Sequence, residues 1–380
     1  MRWVYVRDLE DWASRLDSQE YLPLLIRRLI RATVNKIDSI SFPAGESIVY
    51  PGWDGRLESK EETEYIPKGL SLWELSTRKD IKTKAEEDYK KRKETPLVPN
   101  PSEATYIFVT PIVWRDKDKW VEGKKKEKFW RDVRVYDARD LEEWLEQAPA
   151  VGAWLAKHIG KYPQQNVHSL EEWWNEWSLV THPPLPPELV LAGRDEQIEE
   201  VKKWLNSDPS LLVVQASTKD EALAFLSAVI LTLPEEEKEH FLSKSIVISD
   251  KEAFRHVTAT CKSSLLLITE FEEIEIALSQ HNHYVFVPLS PDNTVTKDKI
   301  ILPRLERDKF VSALRKIGIR EEDAEKLSRD TARSLTVLRR RLSPISKQPE
   351  WAKPEKAREI LPVLLVGKWD ENKQGDKEII

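Results

Sequence analysis

Apolar positions change their period several times along the chain, and each change marks an element. Tyr21 to Val34 (YLPLLIRRLIRATV) spaces Leu, Ile and Val at helical intervals and predicts a buried helix. Ile48 to Tyr50 and Ser71 to Thr77 read as strands. Asp80 to Lys93 contains neither Gly nor Pro and predicts a polar helix. Pro96, Pro99 and Pro101 then interrupt the chain before a strand, ATYIFVTP. A hairpin-like basic loop follows, then the strand DVRVYDA. Asp137 or Asp140 is placed to cap a helix that carries Leu141, Trp144 and Leu145 on one face, and Val151 to Ile159 predicts another. Over residues 1–160 this order gives a mixed sheet flanked by helices.

Residues 161–189 read differently. YPQQN, a Trp-rich amphipathic piece (SLEEWWNEWSLV) and HPPLPPEL predict a stiff linker whose Trp173, Trp174 and Trp177 pack on a neighbouring domain. From 190 to 300 strands and helices alternate: Arg194 to Leu205 helical, LLVVQAS a strand, Asp220 to Leu233 helical, SIVIS a strand. Lys251 to Cys261, LLLITEF, Ile274 to Gln280 and YVFVPL continue the alternation, which is the signature of a parallel α/β sheet. Residues 301–380 read as a helical segment, the last part of it a helical pair cut short. The expected class is α/β throughout, with two sheets of different character.

Composition narrows the setting. The chain has 380 residues, of which 33% are charged and 40% hydrophobic, enough for two or three cored domains. A single cysteine, Cys261, excludes a disulfide framework or a multi-thiolate zinc site and suggests a reducing, cytoplasmic setting. The apolar stretch around Ala222 to Leu233 is too short and interrupted to span a bilayer, so no membrane is expected. Net charge is −6, but it is uneven: residues 1–166 hold 30 Lys and Arg against 29 Asp and Glu, the remainder 30 against 37. Basic runs at Arg78 to Lys84, Lys90 to Lys93 and Lys117 to Lys128 suit either a phosphate-tracking surface or an ordinary solvated face.

The chemistry concentrates between Pro51 and Arg92. A strand ending in Asp54-Gly55, a second carrying Glu74, and a helix with Lys84, Asp88 and Arg92 at i, i+4 and i+8 bring acids and bases to one edge. Two carboxylates suit Mg²⁺ or Mn²⁺, a hard cation that also binds substrate phosphate. A nearby lysine adds positive charge where a phosphodiester develops negative charge. A plainer reading stays open: Asp54-Gly55 as a turn, Glu74 as an exposed strand residue, and a helix held by ion pairs.

Asp54 followed by Glu74, within a strand-turn-strand frame, resembles the PD-(D/E)xK restriction-endonuclease-like superfamily over about residues 10 to 160. The resemblance implies a nuclease fold with Asp54 and Glu74 holding the metal. The family's lysine, expected two residues past the glutamate, is Ser76 here, and Lys84 on the following helix is its natural substitute. Asp88, Arg92 and Ser76 rank as accessory residues, and Glu20 as an accessory metal ligand.

The second sheet opens with LAGRDEQIEEVKKWL, which resembles the entry to AAA+ and STAND-type P-loop domains. The phosphate loop that should follow is QASTKDEALAF, with Asp220 where the lysine belongs and no glycine between Gly193 and Gly318. LLLITEF places Thr269 where a metal-binding Asp is expected and keeps only Glu270. A carboxylate facing a triphosphate repels it, so ATP binding and hydrolysis are not expected here. Arg339, Arg340 and Arg341 read as a dipole-compensating helix end, and His281 and His283 as turn residues.

The combination resembles defence-associated prokaryotic proteins. It implies a Mg²⁺-dependent DNA endonuclease with a degenerate nucleotide-binding-like module acting against phage, working as a homo-oligomer or with further domains beyond residue 380. A catalytically inactive sensor or scaffold that binds nucleic acid or protein is the alternative, and an ATP-driven switch using Lys219 a third.

Overall fold

The computed structural model describes residues 2–43, 52–161, 166–261, 263–273, 282–293 and 298–344. The expected strand Ile48–Tyr50, helix Ile274–Gln280, His281, and the helical pair past 350 lie outside these residues. The chain is α/β and divides into two compact units, Met1–Trp174 with Arg194–Pro303, and Asn175–Gly193 with Arg304–Ile380. Both sheets belong to the first unit. No helix among the described residues is long and apolar enough to cross a membrane.

The first sheet follows helices α1 (Val6–Ala13) and α2 (Ser18–Thr33) and has the order β1 (Ile37–Ser41), β2 (Gly55–Ser59), β3 (Gly69–Leu75), β4 (Thr105–Val109), β5 (Asp132–Tyr136). Its first three strands are antiparallel and the last three parallel. Parallel neighbours need a crossover, and α3 (Ile81–Glu94) and α4 (Lys117–Lys126) supply two of them. The basic stretch expected as a hairpin-like loop is therefore a helix. It buries only Trp120, so its apolar signal is a single residue, and the topology decides what its periodicity does not. β1 was likewise not expected: in IDSIS only Ile37 and Ile40 are half-buried, and the pairing shifts register between Ile37 and Ser39, so no alternation registers as a strand.

One face of this sheet packs on α1, α2, α5 (Ala138–Gln147) and α6 (Pro149–His158) through Trp12, Leu25, Leu29, Trp73, Trp144 and Leu155. The other packs on α3 and α4 through Tyr89, Tyr106, Phe108, Trp120 and Trp130. Asp137 is the N-cap of α5: its carboxylate accepts the Arg139 and Asp140 N–H groups while Asp140 returns a bond to the Asp137 N–H, a reciprocal capping box.

The segment expected as a bare spacer, 161–189, contains strand β6 (Val167–Ser169) and helix α7 (Leu170–Ser178), with α8 (Pro187–Val190) after them. Val167 and Ser169 are buried, and β6 pairs antiparallel with the strand Ser245–Ile248, so the prolines mark only the later part of the segment. The second sheet then adds α9 (Asp195–Leu205), β7 (Leu211–Gln215), α10 (Lys219–Leu231), α11 (Glu235–Lys244), β8 (Ser245–Ile248), α12 (Lys251–Thr260), β9 (Leu266–Thr269), β10 (Tyr284–Leu289) and β11 (Ile300–Ile301). Strand order is β11-β7-β10-β9-β8-β6, and all but β6 run parallel. The chain leaves β7, crosses to β8, steps back through β9 and β10, and passes β7 again to reach β11. That reversal makes the carboxyl end of β7 a topological switch point, where open α/β sheets commonly bind ligands.

In the second unit, α13 (Arg307–Lys316), α14 (Glu321–Asp330) and α15 (Leu335–Leu342) form a helical group. Gly193, of the Gly-Arg pair, has φ of 78°, and a Cβ there would collide with Glu306. Its glycine is thus required by a close backbone approach. Arg339, at the end of α15, stacks over Trp177 with its guanidinium 4.5 Å from the ring centre.

Candidate active site

The register of β2 on β3 sets the site. Gly55 pairs with Trp73, so continuing the antiparallel ladder by one residue places Asp54 opposite Glu74. Asp54 lies just before β2 rather than at the end of a strand, because the chain enters the sheet there instead of leaving it. Its carboxylate accepts the Leu75 N–H at 2.8 Å, which fixes it beside β3. Glu74 stands one residue before the carboxyl end of β3, a central strand.

Helix α3 crosses behind. Its buried residues are Ile81, Ala85, Asp88, Tyr89 and Arg92, so a charged stripe faces the sheet together with an apolar one. The Arg92 guanidinium pairs with Glu74 through Nε, bonds the Gly52 carbonyl, and lies 4.6 Å from the centre of the Trp53 ring. Lys84 Nζ lies 2.5 Å from Asp88 Oδ1. The helix therefore is held by ion pairs, as the plainer reading has it, but Glu74 is not an exposed strand residue: it is 4% exposed. Asp88 Oδ2 is buried with no hydrogen-bond partner among the described residues.

A cleft of about 240 Å³ opens onto this cluster. Asp54, Ser76, Lys84 and Trp53 line it, together with Gln19 and Arg78. Glu74, Asp88 and Arg92 are not in its wall; they lie buried. Ser76, at the position where lysine was expected, is buried and accepts the Arg78 N–H at 3.2 Å. Glu20 is exposed and does not line the cleft; its neighbour Gln19 does. Sequence reasoning missed Trp53 and Gln19. The Trp next to Asp in GWDG was the available signal for the first, and nothing local distinguishes the second.

The electrostatics follow from burial. Desolvation, with the Asp54 charge beside it, pushes the Glu74 carboxyl up to about 8 despite the Arg92 guanidinium against it. Asp54 is also raised, mainly by burial and further by Asp88, while its bond from Leu75 N–H works the other way. Both shifts are chiefly the cost of burying a carboxylate charge. A divalent cation would offset that cost. The donors are all hard oxygens, one of them an orphan, which fits Mg²⁺ or Mn²⁺ better than a softer metal. Among the described residues no group of three or more His, Cys, Asp or Glu side chains is placed to hold a metal ion. Mg²⁺ does not need one, since it keeps waters and takes one or two carboxylates plus substrate phosphate.

The switch point of the second sheet has a different character. Arg194 and Glu221 form an ion pair that is almost fully buried, and the guanidinium also donates to the Pro303 carbonyl at 3.0 Å. The Ser217 hydroxyl donates to the other Glu221 oxygen at 2.6 Å, and Thr218 caps α10 by accepting the Glu221 N–H. Gln215 Nε2 reaches the carbonyls of Ser290, Pro291 and Asn293. Glu270 accepts the Trp173 indole N–H at 2.8 Å and the Ser249 hydroxyl. The loop that resembles a phosphate cradle thus spends its polar groups on its own chain. Lys219 and Asp220 are exposed at its rim. His283 is buried, its Nδ1 accepting the Leu265 N–H at 3.1 Å, which is a structural role.

Scanned against protein-family models, the chain matches none, and a search of the curated proteins finds no significant match.

Proposed function

We propose that the first sheet carries a Mg²⁺- or Mn²⁺-dependent phosphodiesterase site acting on DNA. The observation that carries this reading is the pairing of Asp54 with Glu74 across the end of a mixed sheet, beside a cleft that also holds Lys84. Asp54 and Glu74 are the residues to hold the ion, with waters and substrate phosphate filling the remaining positions. When bound, the ion would polarise a phosphoryl oxygen and lower the pKa of a coordinated water. Asp54, with one oxygen fixed by Leu75, is oriented before any ligand arrives. Lys84, half-buried at the cleft wall, is placed to meet the phosphate, and its bond to Asp88 fixes its direction. Arg92 holds Glu74 in one rotamer and supports Trp53 from below. The degenerate second sheet serves as a regulatory or assembly module, and a role in defence against phage rests on the resemblance alone.

A second reading has its own support. The basic runs are largely spent on acids of the same chain: Arg78 on Asp80 and Glu87, Lys93 and Lys124 on Glu127, Lys117 on Asp137 and Asp140, Lys125 on Asp132. Paired lysines release few counterions from DNA, and Glu74 itself is shared with Arg92. These pairings favour a non-catalytic scaffold, and of its two candidate partners they favour protein over nucleic acid. Calorimetric titration with Mn²⁺ separates the two. The nuclease reading expects one site that is lost in Asp54→Asn and in Glu74→Gln; undiminished binding in both folded variants would remove the proposed site.

A further inference from the structure

A second opening in the first unit, larger than the cleft at Asp54, lies not at the switch point but at the opposite, amino end of the second sheet's strands. A cleft of about 580 Å³ lies among the C-terminal end of α2, one face of α11, the 206–209 loop and the first residues of β9 and β10. Its volume falls within the roughly 300–1,000 Å³ typical of small-molecule sites. Phe241, Tyr284 and His240 give it flat walls, and Arg31, Lys244 and Ser264 give it polar ones.

Lys244 is the informative residue. It is the last residue of α11 and is 6% exposed. A buried ammonium normally finds a carboxylate or loses its proton. Among the described residues its partner is instead neutral, the Asn35 amide oxygen at 2.7 Å. Arg31 stands in the same wall, its Nε 3.0 Å from Glu239, a carboxylate that Arg27 also shares. Burial lowers the Lys244 amine to about 8, with the more distant Glu61 resisting, so the group is largely charged at neutral pH. His240, pushed down to about 3 by burial and by Lys244 and Arg31, adds a neutral ring. The Ser264 hydroxyl has no partner among the described residues. The charged acids in the wall, Glu236 and Glu237, are exposed in the first turn of α11, eight and seven residues before Lys244 at its other end, a helix rise of about 11 Å.

We propose that this cleft binds a phosphate-bearing ligand of mononucleotide size, its phosphate on Lys244 and Arg31 and its base against Tyr284, Phe241 and His240. Lys244 has a neutral hydrogen-bond partner, and Arg31 shares the single Glu239 carboxylate with Arg27, so the floor carries more positive than negative charge in direct contact and an anion completes it, while the aromatic walls accept a planar ring. The site is independent of the phosphodiesterase reading and distinct from the loop at Gln215 to Lys219, which lies at the other end of the same strands.

The test is calorimetric titration of the full chain, in EDTA so that no divalent ion takes part, with AMP, CMP, GMP and UMP. Adenosine and inorganic phosphate serve as separate probes of ring and head group. At least one nucleotide is expected to bind, about tenfold or more tighter than either half alone. Lys244→Gln, and Asn206→Trp at the exposed mouth, should each weaken it by about tenfold or more, the scale of one charge-assisted hydrogen bond or a blocked entry. Lys219→Ala should leave it unchanged. Absence of binding by any of the four nucleotides, wild-type affinity in either folded cleft variant, or loss in Lys219→Ala would overturn the proposal.

Discussion

At the carboxyl ends of their parallel strands the two sheets both gather buried acids and bases, and they differ in what is left over. In the second sheet Arg194 takes Glu221 and a carbonyl, Ser217 takes the other Glu221 oxygen, and Gln215 takes three carbonyls. In the first sheet Asp88 keeps an unbonded oxygen, Asp54 and Glu74 are both raised, and a cleft reaches Asp54 and Lys84. Charge at a strand end is therefore common to both regions. Unsatisfied capacity beside an opening belongs to one of them, and that is what separates a candidate site from a structural weld.

The comparison breaks most visibly at the weld. Arg194→Leu leaves Glu221 charged and unpaired in the interior and is expected to cost about 3–5 kcal/mol in urea denaturation, whereas Arg194→Met with Glu221→Leu should recover most of that loss. If the single variant is as stable as wild type, the pair is not the structural element described. Next in size is the open cluster. Glu74→Gln should lower metal-dependent cleavage by about a hundredfold or more while sparing the fold, because an ion supplies several kcal/mol of charge stabilisation to the reaction. Lys84→Ala should cost about tenfold or more in cleavage rate, with little change in Mn²⁺ affinity, since a point charge on the phosphate acts on the reaction rather than on the ion.

A pH series sharpens the same contrast. Glu74 is raised on folding, so the metal-free protein gains stability from its protonated form below the ordinary carboxylate range and loses that contribution as pH rises through about 8. Metal competes with that proton, so Mn²⁺ affinity should climb over the same interval and flatten above it. In Glu74→Gln both trends should weaken together; a pH-independent affinity in wild type would mean that Glu74 is not a ligand. The smallest effect belongs to Lys219→Ala, expected to change stability by no more than about 0.5 kcal/mol because the side chain is exposed at the rim of the closed loop.

How much of this was legible beforehand depends on how local the signal was. α2 through its periodicity, α3 through its lack of Gly and Pro, and β3, β4 and β5 through their apolar runs lie close to their expected positions. The face of α3 with Lys84, Asp88 and Arg92 was legible as well, because i, i+4 spacing is a local property. The basic stretch at Lys117 to Lys126 was not: its helix is dictated by the parallel pairing of β4 with β5, a non-local fact. β6 was hidden in a proline-bearing segment because three residues are too few to show alternation. The partner of Glu74 was equally out of reach, since Arg92 meets it across 18 residues of chain. Buried polar leftovers such as Asp88 Oδ2, and the cleft around Lys244, exist only once the elements are packed.

The central claim is that the Asp54 and Glu74 pair supports metal-dependent phosphodiester cleavage. Its most direct test is incubation of supercoiled plasmid and labelled linear DNA with Mg²⁺ or Mn²⁺, comparing wild type, Asp54→Asn, Glu74→Gln and Lys84→Ala at equal folded concentration. The account predicts cleavage by wild type that requires the ion, vanishes in both carboxylate variants and is reduced in Lys84→Ala. Cleavage that persists in Asp54→Asn and Glu74→Gln, or an intact wild type that binds DNA and leaves it uncut with either ion, would contradict it.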